Sequence, residues 1–207
     1  MRFLATTALV LVAAATLTAQ SPAGWKQRLD RSTSASDPDG TGAVKFVAMG
    51  SGFHATNPTA AVYWNAANTA TGTYTVKGSF KLIKPSGHVN YYGLVFGGSN
   101  LEGATQSYVY FMVAQNGSWL LKRRDGDANA PTIARGDNAA IAKPGADGTS
   151  VNALEVRVKA DAIDYVVNGT VVHTTPKSGD TAKTDGIAGI RVNHLLEVHV
   201  DGFAVSK

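Results

Sequence analysis

The segment from Ser107 to Arg124 constrains the fold of this chain more than any other part of it. Two apolar, aromatic-rich runs lie on either side of Asn116-Gly117. Asn-Gly favours a type I′ turn, because both central residues of that turn need a positive φ. The segment therefore predicts a β-hairpin with a two-residue loop, and it indicates an all-β protein.

The two-residue loop also sets the register of the predicted hairpin. It places Ala114 opposite Trp119 and Met112 opposite Leu121. One face is then expected to carry Tyr110, Met112, Ala114, Trp119, Leu121 and Arg123, and the other Val109, Phe111, Val113, Leu120, Lys122 and Arg124. We expect the second face in the core, because it is aliphatic toward the turn. The first face is expected to be open to water at the Arg123 end, since an uncompensated charge is not buried.

Strand-like segments recur along the rest of the chain with turn residues between them. Residues 74–83 alternate between apolar and polar side chains, 91–96 are apolar on both faces, and 53–64 resemble a hairpin bent at Asn57-Pro58. A second Asn-Gly, Asn168-Gly169, predicts another hairpin. About ten to twelve short strands without a fixed-period repeat favour one antiparallel β-sandwich or barrel.

The N-terminus has the pattern of a secretory signal peptide. Arg2 precedes an apolar run from Phe3 to Leu17, and Ala19 supplies the small residue for cleavage. A membrane anchor is the alternative, but the run is shorter than the about 20 residues that a bilayer needs. We expect residues 1–19 to be removed, 20–43 to cover the domain and 44–207 to form the sandwich. The protein is accordingly predicted to be secreted or periplasmic, with no membrane span.

Charge and motif content narrow the functional classes. The net charge is +4, and the only dense basic tract is Lys122-Arg123-Arg124, which does not favour nucleic-acid binding. The chain has no cysteine and its five histidines lack a zinc-binding spacing. Residues 37–40, Asp-Pro-Asp-Gly, resemble the start of a calcium loop, but the ligands that should follow are missing, so a turn is the preferred interpretation. We therefore predict no metal and no cofactor.

The order of several motifs resembles that of the concanavalin A-like lectin/glucanase jelly rolls. These motifs are the Gly-rich strand 91–96 before the aromatic hairpin, then the segments 152–158, 164–172, 186–192 and 200–205. More narrowly, residues 44–207 are similar to bacterial secreted domains of the 3-keto-disaccharide hydrolase type (domain of unknown function 1080). The resemblance implies two antiparallel sheets with sugar-related ligands across a concave face. The Glu-x-Asp-x-x-Glu signature of related glucanases is missing, so no catalytic residue is assigned.

Sugar binding requires aromatic rings that stack on C–H groups and planar polar groups that bond hydroxyls. The candidate ligand-binding residues are Tyr92, Tyr108, Tyr110, Trp119 and Arg123, with His88 and Asn90 at the rim. Core packing is the alternative for each aromatic residue. Glu197, His199 and Asp201 share one strand face, either as a solvent-exposed edge or as a carboxylate–imidazole cluster.

Three functions stay open at this point. The first is recognition of a carbohydrate, the second a hydrolase or lyase acting on glycosides such as 3-keto-disaccharides, and the third a structural envelope protein without a small ligand. Two carboxylates, or a carboxylate with a histidine, within about 10 Å around a pocket would favour the enzyme. Aromatic rings and arginine alone would favour binding. The oligomeric state is left open.

Overall fold

The computed structural model describes residues 21–207, so the predicted signal peptide lies outside the described residues. Within that range the regular secondary structure is β-strand except for one short 3-10 helix at Gly179–Thr181. The strands in chain order are β1 (Trp25–Asp30), β2 (Lys45–Met49), β3 (Gly52–Asn57), β4 (Ala60–Ala70), β5 (Tyr74–Lys84), β6 (Tyr91–Ser99), β7 (Ser107–Ala114), β8 (Ser118–Asp125), β9 (Thr132–Asp137), β10 (Ser150–Val158), β11 (Ala162–Val167), β12 (Thr170–Pro176), β13 (Gly186–Val192) and β14 (Leu196–Ser206).

The strands form two antiparallel sheets of seven strands each, packed face to face. Sheet 1 has the order β1-β4-β13-β6-β7-β8-β9, and sheet 2 the order β12-β11-β10-β5-β14-β3-β2. Strands that are distant in sequence, such as β4 and β13, lie side by side, so most of the topology is set by crossovers between the sheets. This arrangement confirms the predicted antiparallel β-sandwich.

The main core lies between the two sheets and is rich in aromatic rings. β5 contributes alternate residues to it, as predicted, including the fully buried Phe80 and Leu82. The buried phenol of Tyr63 donates to Asn57 Oδ1 at 2.6 Å, which removes the penalty of an unpaired hydroxyl. Burial of each such large side chain stabilises the fold by about 1.5–3 kcal/mol, and the chain needs no disulfide to hold the sheets together.

A second apolar cluster covers the outer face of sheet 1. Its buried members are Val62, Trp64, Val95, Leu101, Tyr108, Tyr110 and Met112. Leu101, from the loop between β6 and β7, packs over the sheet there. The outer face of sheet 1 is therefore built on buried aromatic residues and carries its polar groups above them.

The hairpin of β7 and β8 has a different register from the predicted one. Val113, not Ala114, lies opposite Trp119, and Phe111 lies opposite Leu121. The loop has three residues, because Gly117 takes φ +89° and donates to the carbonyl of Ala114 at 3.1 Å, while Asn116 does not take a positive φ. A three-residue loop with a left-handed glycine at its third position is the next commonest hairpin connection.

The second Asn-Gly forms the loop that the sequence predicts. Asn168 (φ +50°) and Gly169 (φ +83°) are both left-handed, and they join the directly paired Val167 and Thr170. This is the two-residue loop of a type I′ hairpin. The same dipeptide thus forms two different loops in one chain.

Two other predictions from the sequence differ from the structure. Residues 53–64 are not a hairpin, because β3 belongs to sheet 2 and β4 to sheet 1, with Pro58 at the crossing. The segment 20–43, predicted as a cover, contains β1, which is an edge strand of sheet 1; the opposite edge strand of that sheet is β9. Within residues 21–207, no helix is long and apolar enough to cross a membrane.

Candidate functional site

The register of the hairpin decides which arginine faces which side of sheet 1. A shift of one residue moves every side chain of a strand to the opposite face. Trp119, Leu121 and Arg123 consequently lie on the core side, and Leu120, Lys122 and Arg124 on the outer side. The expectation that Arg123 shares a face with Tyr110 is wrong.

Arg123 has structural partners inside the fold. Its guanidinium donates to Ser107 Oγ at 2.7 Å and to the carbonyl of Asp180 at 3.2 Å. The residue is only 9% exposed. Hydrogen bonds at the edge of the core therefore stabilise the charge of Arg123, which is not exposed on a solvent-accessible face.

Two of the aromatic candidates also lie between the sheets. The hydroxyl of Tyr92 accepts a hydrogen bond from the Asn152 side chain of sheet 2 at 3.2 Å. Trp119 stacks on His173 of β12, with ring centroids 4.8 Å apart. Burial lowers the pKa of His173 below its ordinary value, so the stacked ring is uncharged at neutral pH. Neither Tyr92 nor Trp119 lies on an outer face of the sandwich.

The other two aromatic candidates, Tyr108 and Tyr110, lie on the outer face of sheet 1 beneath Arg191. Arg191 donates to the hydroxyl of Tyr108 at 2.9 Å, and its guanidinium carbon lies 5.0 Å from the centroid of the Tyr110 ring. Burial raises the pKa of Tyr110, which therefore stays a neutral phenol. Both rings are at most 3% exposed, so they support the arginine and do not offer a free stacking surface.

A cleft of about 510 Å³ opens beside Arg191, where β1, β8 and β13 meet the loop after β1. Three arginines and three aspartates line it, together with amide and imidazole groups: Arg31, Arg124, Arg191, Asp30, Asp37, Asp127, Asn90, Asn193 and His194. The formal charges of the arginines and aspartates balance. The cleft is therefore strongly polar, but these six side chains give it no formal net charge.

Asp30 joins the two buried arginines at the base of the cleft. Its carboxylate accepts from Arg191 at 2.6 Å and forms an ion pair with Arg124. Burial alone would raise the pKa of Asp30, but Arg191 and Arg124 hold that pKa below its ordinary value. Burial lowers the pKa of the neighbouring Lys122, and the same two arginines lower it further. Asp30 is thus a fixed anion that keeps both guanidinium groups in place.

Asp127 lines the cleft next to Arg124 and connects the segments around it. Its carboxylate accepts from Arg28 of β1 at 2.5 Å and from Gln106 at 2.9 Å, while its backbone carbonyl accepts from Arg124 at 3.0 Å. These bonds connect the loops after β6 and β8 to strand β1. The position of Arg124 is therefore determined from two sides, by Asp30 and by Asp127.

The predicted rim residues His88 and Asn90 do lie beside this cleft. They meet His194 and Asp37: the Nε2 atoms of His88 and His194 are 3.3 Å apart, and they lie 3.0 and 3.1 Å from Asp37 Oδ1. The Asn90 amide donates to the backbone carbonyl of His194 at 2.9 Å. A carboxylate and two imidazoles are thus in direct contact at one end of the cleft.

Three buried polar atoms of the cleft residues lack a hydrogen-bond partner within the described part of the chain. They are Nε of Arg124, Nε of Arg191 and Oδ1 of Asn193. A buried polar atom without a partner destabilises the fold by about 1–3 kcal/mol, and such atoms are uncommon in folded proteins. These three atoms are not accessible to solvent, so they lie behind the surface that a ligand in the cleft would contact.

The cluster of Glu197, His199 and Asp201 lies on the outer face of sheet 2. Glu197 contacts His54 at 3.0 Å, and Asp201 contacts His199 at 3.1 Å. A larger cleft, of about 680 Å³, adjoins Glu197, but five of its fifteen lining residues are glycines or prolines and only three are charged. It brings together fewer charged and hydrogen-bonding side chains than the cleft on sheet 1, which is therefore the better candidate.

Comparison of the sequence with models of known protein families finds no match, and comparison with curated proteins finds none either. Several solved structures resemble the fold of this chain. The carbohydrate binding module CBM66 from Bacillus subtilis is 10% identical, with 89% of this chain and 96% of that chain covered and a TM-score of 0.61. The chain shares the jelly-roll β-sandwich fold of this module.

Two further structures have the same fold. A Bacillus subtilis protein of unknown function with a galectin-like fold is 14% identical, with 88% of each chain covered and a TM-score of 0.58. Alginate lyase A1-II′ is 13% identical, with 88% of this chain and 94% of that chain covered and a TM-score of 0.53. At these identities the likeness concerns the fold.

One further residue in the sequence signals the site. Arg191 is the only charged residue in the apolar, Gly-rich strand β13, and a charge in such a strand needs a partner. Asp30, Asp37 and His194 carried no comparable signal, because they come from a predicted covering segment and from a short turn between strands.

Proposed function

We propose that the cleft on the outer face of sheet 1 binds a neutral carbohydrate. The observation that carries this proposal is the balanced lining of three arginines and three aspartates, with amide and imidazole groups beside them. Sugar hydroxyls both donate and accept hydrogen bonds, so they complement a lining that offers both planar donors and planar acceptors.

The charge balance distinguishes between classes of ligand. A polyanion would be repelled by Asp30, Asp37 and Asp127 although the arginines attract it. A cationic ligand would be repelled by the three arginines although the aspartates attract it. A neutral, hydroxyl-rich ligand encounters neither repulsion. The carbohydrate binding module among the structural neighbours supports the same class of ligand, since its name states that it binds carbohydrate.

Recognition in this cleft is expected to be polar. Tyr108 and Tyr110 lie beneath Arg191 and do not reach the surface, so ring stacking contributes little. Arg124 and Arg191 are held by Asp30 before any ligand arrives, which reduces the entropy lost on binding. With the predicted signal peptide, the proposal places this binding in the periplasm or outside the cell.

A hydrolase or lyase acting on glycosides such as 3-keto-disaccharides is the second candidate. The contact of Asp37 with His88 and His194 favours it, because a carboxylate–imidazole pair beside a sugar cleft can move protons. Asp30 is a poor proton donor, since Arg191 and Arg124 keep it ionised. The enzyme would therefore depend on the pair of histidines with Asp37.

A glycan array followed by calorimetric titration tests the binding proposal. The purified protein is expected to bind at least one neutral oligosaccharide, and Arg124→Ala is expected to weaken that binding. Turnover of 3-keto-glycosides by the same preparation would show that the protein is an enzyme and would contradict the proposal that it only binds carbohydrate. Absence of both binding and turnover would overturn both proposals and favour a structural protein.

A further inference from the structure

We propose that Asp37, His88 and His194 form a binding site for a divalent transition-metal ion, of which Zn²⁺ is the best fit. The three residues come from the loop after β1, the loop after β5 and the turn before β14. Within residues 21–207, they are the one group of three or more such side chains whose ligand atoms lie close enough together to hold an ion. This inference does not depend on the proposed sugar binding.

The distances between the ligand atoms agree with a tetrahedral ion. Asp37 Oδ1, His88 Nε2 and His194 Nε2 form a triangle with sides of 3.0, 3.1 and 3.3 Å. Zinc binds nitrogen and oxygen at about 2.0–2.1 Å, and tetrahedral angles then place its ligands about 3.3 Å from each other. An ion just outside the plane of the triangle would be at bonding distance from all three atoms.

The hydrogen-bond partners of the two histidine rings agree with a cation bound between Asp37, His88 and His194. The Nδ1 atom of His194 lies 3.2 Å from Asp39 Oδ1, so it is the nitrogen that carries the hydrogen, which leaves the lone pair on Nε2. The Nε2 atom of His88 lies 3.1 Å from the amide nitrogen of Asn90, a donor, and this contact is compatible with a lone pair on Nε2. In these tautomers two imidazole lone pairs and a carboxylate oxygen face one another, and a metal ion bound between them would remove their repulsion.

Asp39 completes the arrangement from outside the ligand triangle. One of its oxygens contacts the ring of His194, and the other accepts from the backbone N–H of Ser32 at 3.1 Å. A histidine that binds a metal usually donates its other ring hydrogen to a carboxylate or carbonyl, which fixes the ring and strengthens the ligand. The two aspartates of the Asp-Pro-Asp-Gly segment therefore have different roles, Asp37 as ligand and Asp39 as the partner that orients His194.

The donor set selects the class of metal. Two imidazoles with one carboxylate suit zinc and similar transition metals, whereas calcium and magnesium need more oxygen ligands. Three protein ligands leave a coordination position for water or another oxygen ligand, as in open zinc sites. Asp37 and His194 also line the cleft, so the site adjoins the same space.

Titration of the metal-free protein with Zn²⁺ and Co²⁺, in competition with a chromophoric chelator, tests the site. We expect one equivalent to bind and Co²⁺ to develop the visible absorption of a low-coordinate nitrogen–oxygen site. His88→Gln is expected to abolish the Co²⁺ spectrum, and Asp39→Asn to weaken binding by about 10–100-fold. The control is His199→Gln, which removes a histidine paired with an aspartate on sheet 2 and should leave binding unchanged.

Three results would overturn the site. They are the absence of stoichiometric binding, an unchanged affinity in His88→Gln, and an equal loss in His199→Gln. The side chains of His88 and Asp37 are 45% and 51% exposed, so His88→Gln is expected to fold even if a change at the buried His194 does not. Metal binding is measured without sugar, so absence of metal binding would not contradict the proposed carbohydrate binding. Absence of carbohydrate binding would likewise not contradict the metal site.

Discussion

Arg123 and Arg124 are neighbours on β8, yet their guanidinium groups serve opposite sides of sheet 1. Arg124 pairs with Asp30 in the polar cleft, whereas Arg123 donates to Ser107 and to the carbonyl of Asp180 at the edge of the core. Both are nearly buried, so their chemistry differs only through the face that each occupies. The three-residue loop at Gly117 determines that difference, because it sets the register of β8 against β7.

Arg123→Ala is expected to destabilise the protein by about 1.5–3 kcal/mol, the range for a hydrogen bond to a charged group. The variant leaves the Ser107 hydroxyl and the Asp180 carbonyl without their donor. Urea unfolding measures the loss. Arg135→Ala, on the exposed side of edge strand β9, is the matched control and should change stability by less than about 0.5 kcal/mol. Equal stability of the two variants would contradict the structural role of Arg123.

Asp30→Asn is expected to change how stability depends on pH. The pKa of Asp30 is lower in the folded protein than its ordinary value of 3.8. The ionised carboxylate therefore stabilises the fold above that value, and this contribution is lost as the pH falls below 3.8 toward the folded pKa. The variant should be less stable at neutral pH and should lose less stability on acidification.

Unfolding free energies measured across this pH range, with the exposed Asp161→Asn as the control, test the role of Asp30. A wild-type acid dependence that is unchanged in Asp30→Asn would show that the two arginines do not depend on this carboxylate.

His173→Phe is expected to make the protein less sensitive to mild acid. Burial lowers the pKa of His173, so below about pH 6.5 the unfolded chain binds a proton that the folded protein does not. Stability therefore falls as the pH drops below that value, and phenylalanine, which can still stack on Trp119, removes this contribution. The measurement is the difference in unfolding free energy between the two proteins from pH 7.5 to 5. A constant difference would contradict the inference.

Asn168→Ala is expected to be more destabilising than Asn116→Ala, by at least about 1 kcal/mol. Alanine at position 168 would have to keep a left-handed φ, whereas alanine at position 116 would not. The Asn168 side chain also bonds the backbone of Ala140 and Ala153, while that of Asn116 bonds only its neighbour Ser118. Thermal unfolding compares the two variants directly. Equal losses would indicate the same loop in both hairpins.

The strands could be predicted from alternation and turn residues, because those signals are local. The alternation of residues 74–83 determines which side of β5 faces the core, and Asn168-Gly169 determines its hairpin. The register at Asn116-Gly117 could not be derived in the same way. Asn-Gly is compatible with two loop lengths, and here Asn116 Oδ1 accepts from the backbone N–H of Ser118, within the longer loop.

The candidate site was less predictable because its parts are far apart in sequence. His88 and Asn90 were recognised as rim residues, but their partner His194 lies more than 100 positions away. Asp37 was interpreted as a turn residue, and only the packing of the loop after β1 brings its carboxylate to the two histidines. Sequence spacing identifies metal and sugar sites only when several of their residues belong to one local element.

The most direct measurement of the central claim is the affinity of the Arg123→Ala and Arg124→Ala variants for the best neutral glycan found on an array. Calorimetric titration below the unfolding temperature of both variants compares them with the wild type. The cleft predicts that Arg124→Ala weakens binding at least tenfold, about 1.4 kcal/mol, and that Arg123→Ala binds within about twofold of wild type. Loss of binding in Arg123→Ala with full binding in Arg124→Ala would contradict the assignment of the sugar site to the outer face of sheet 1.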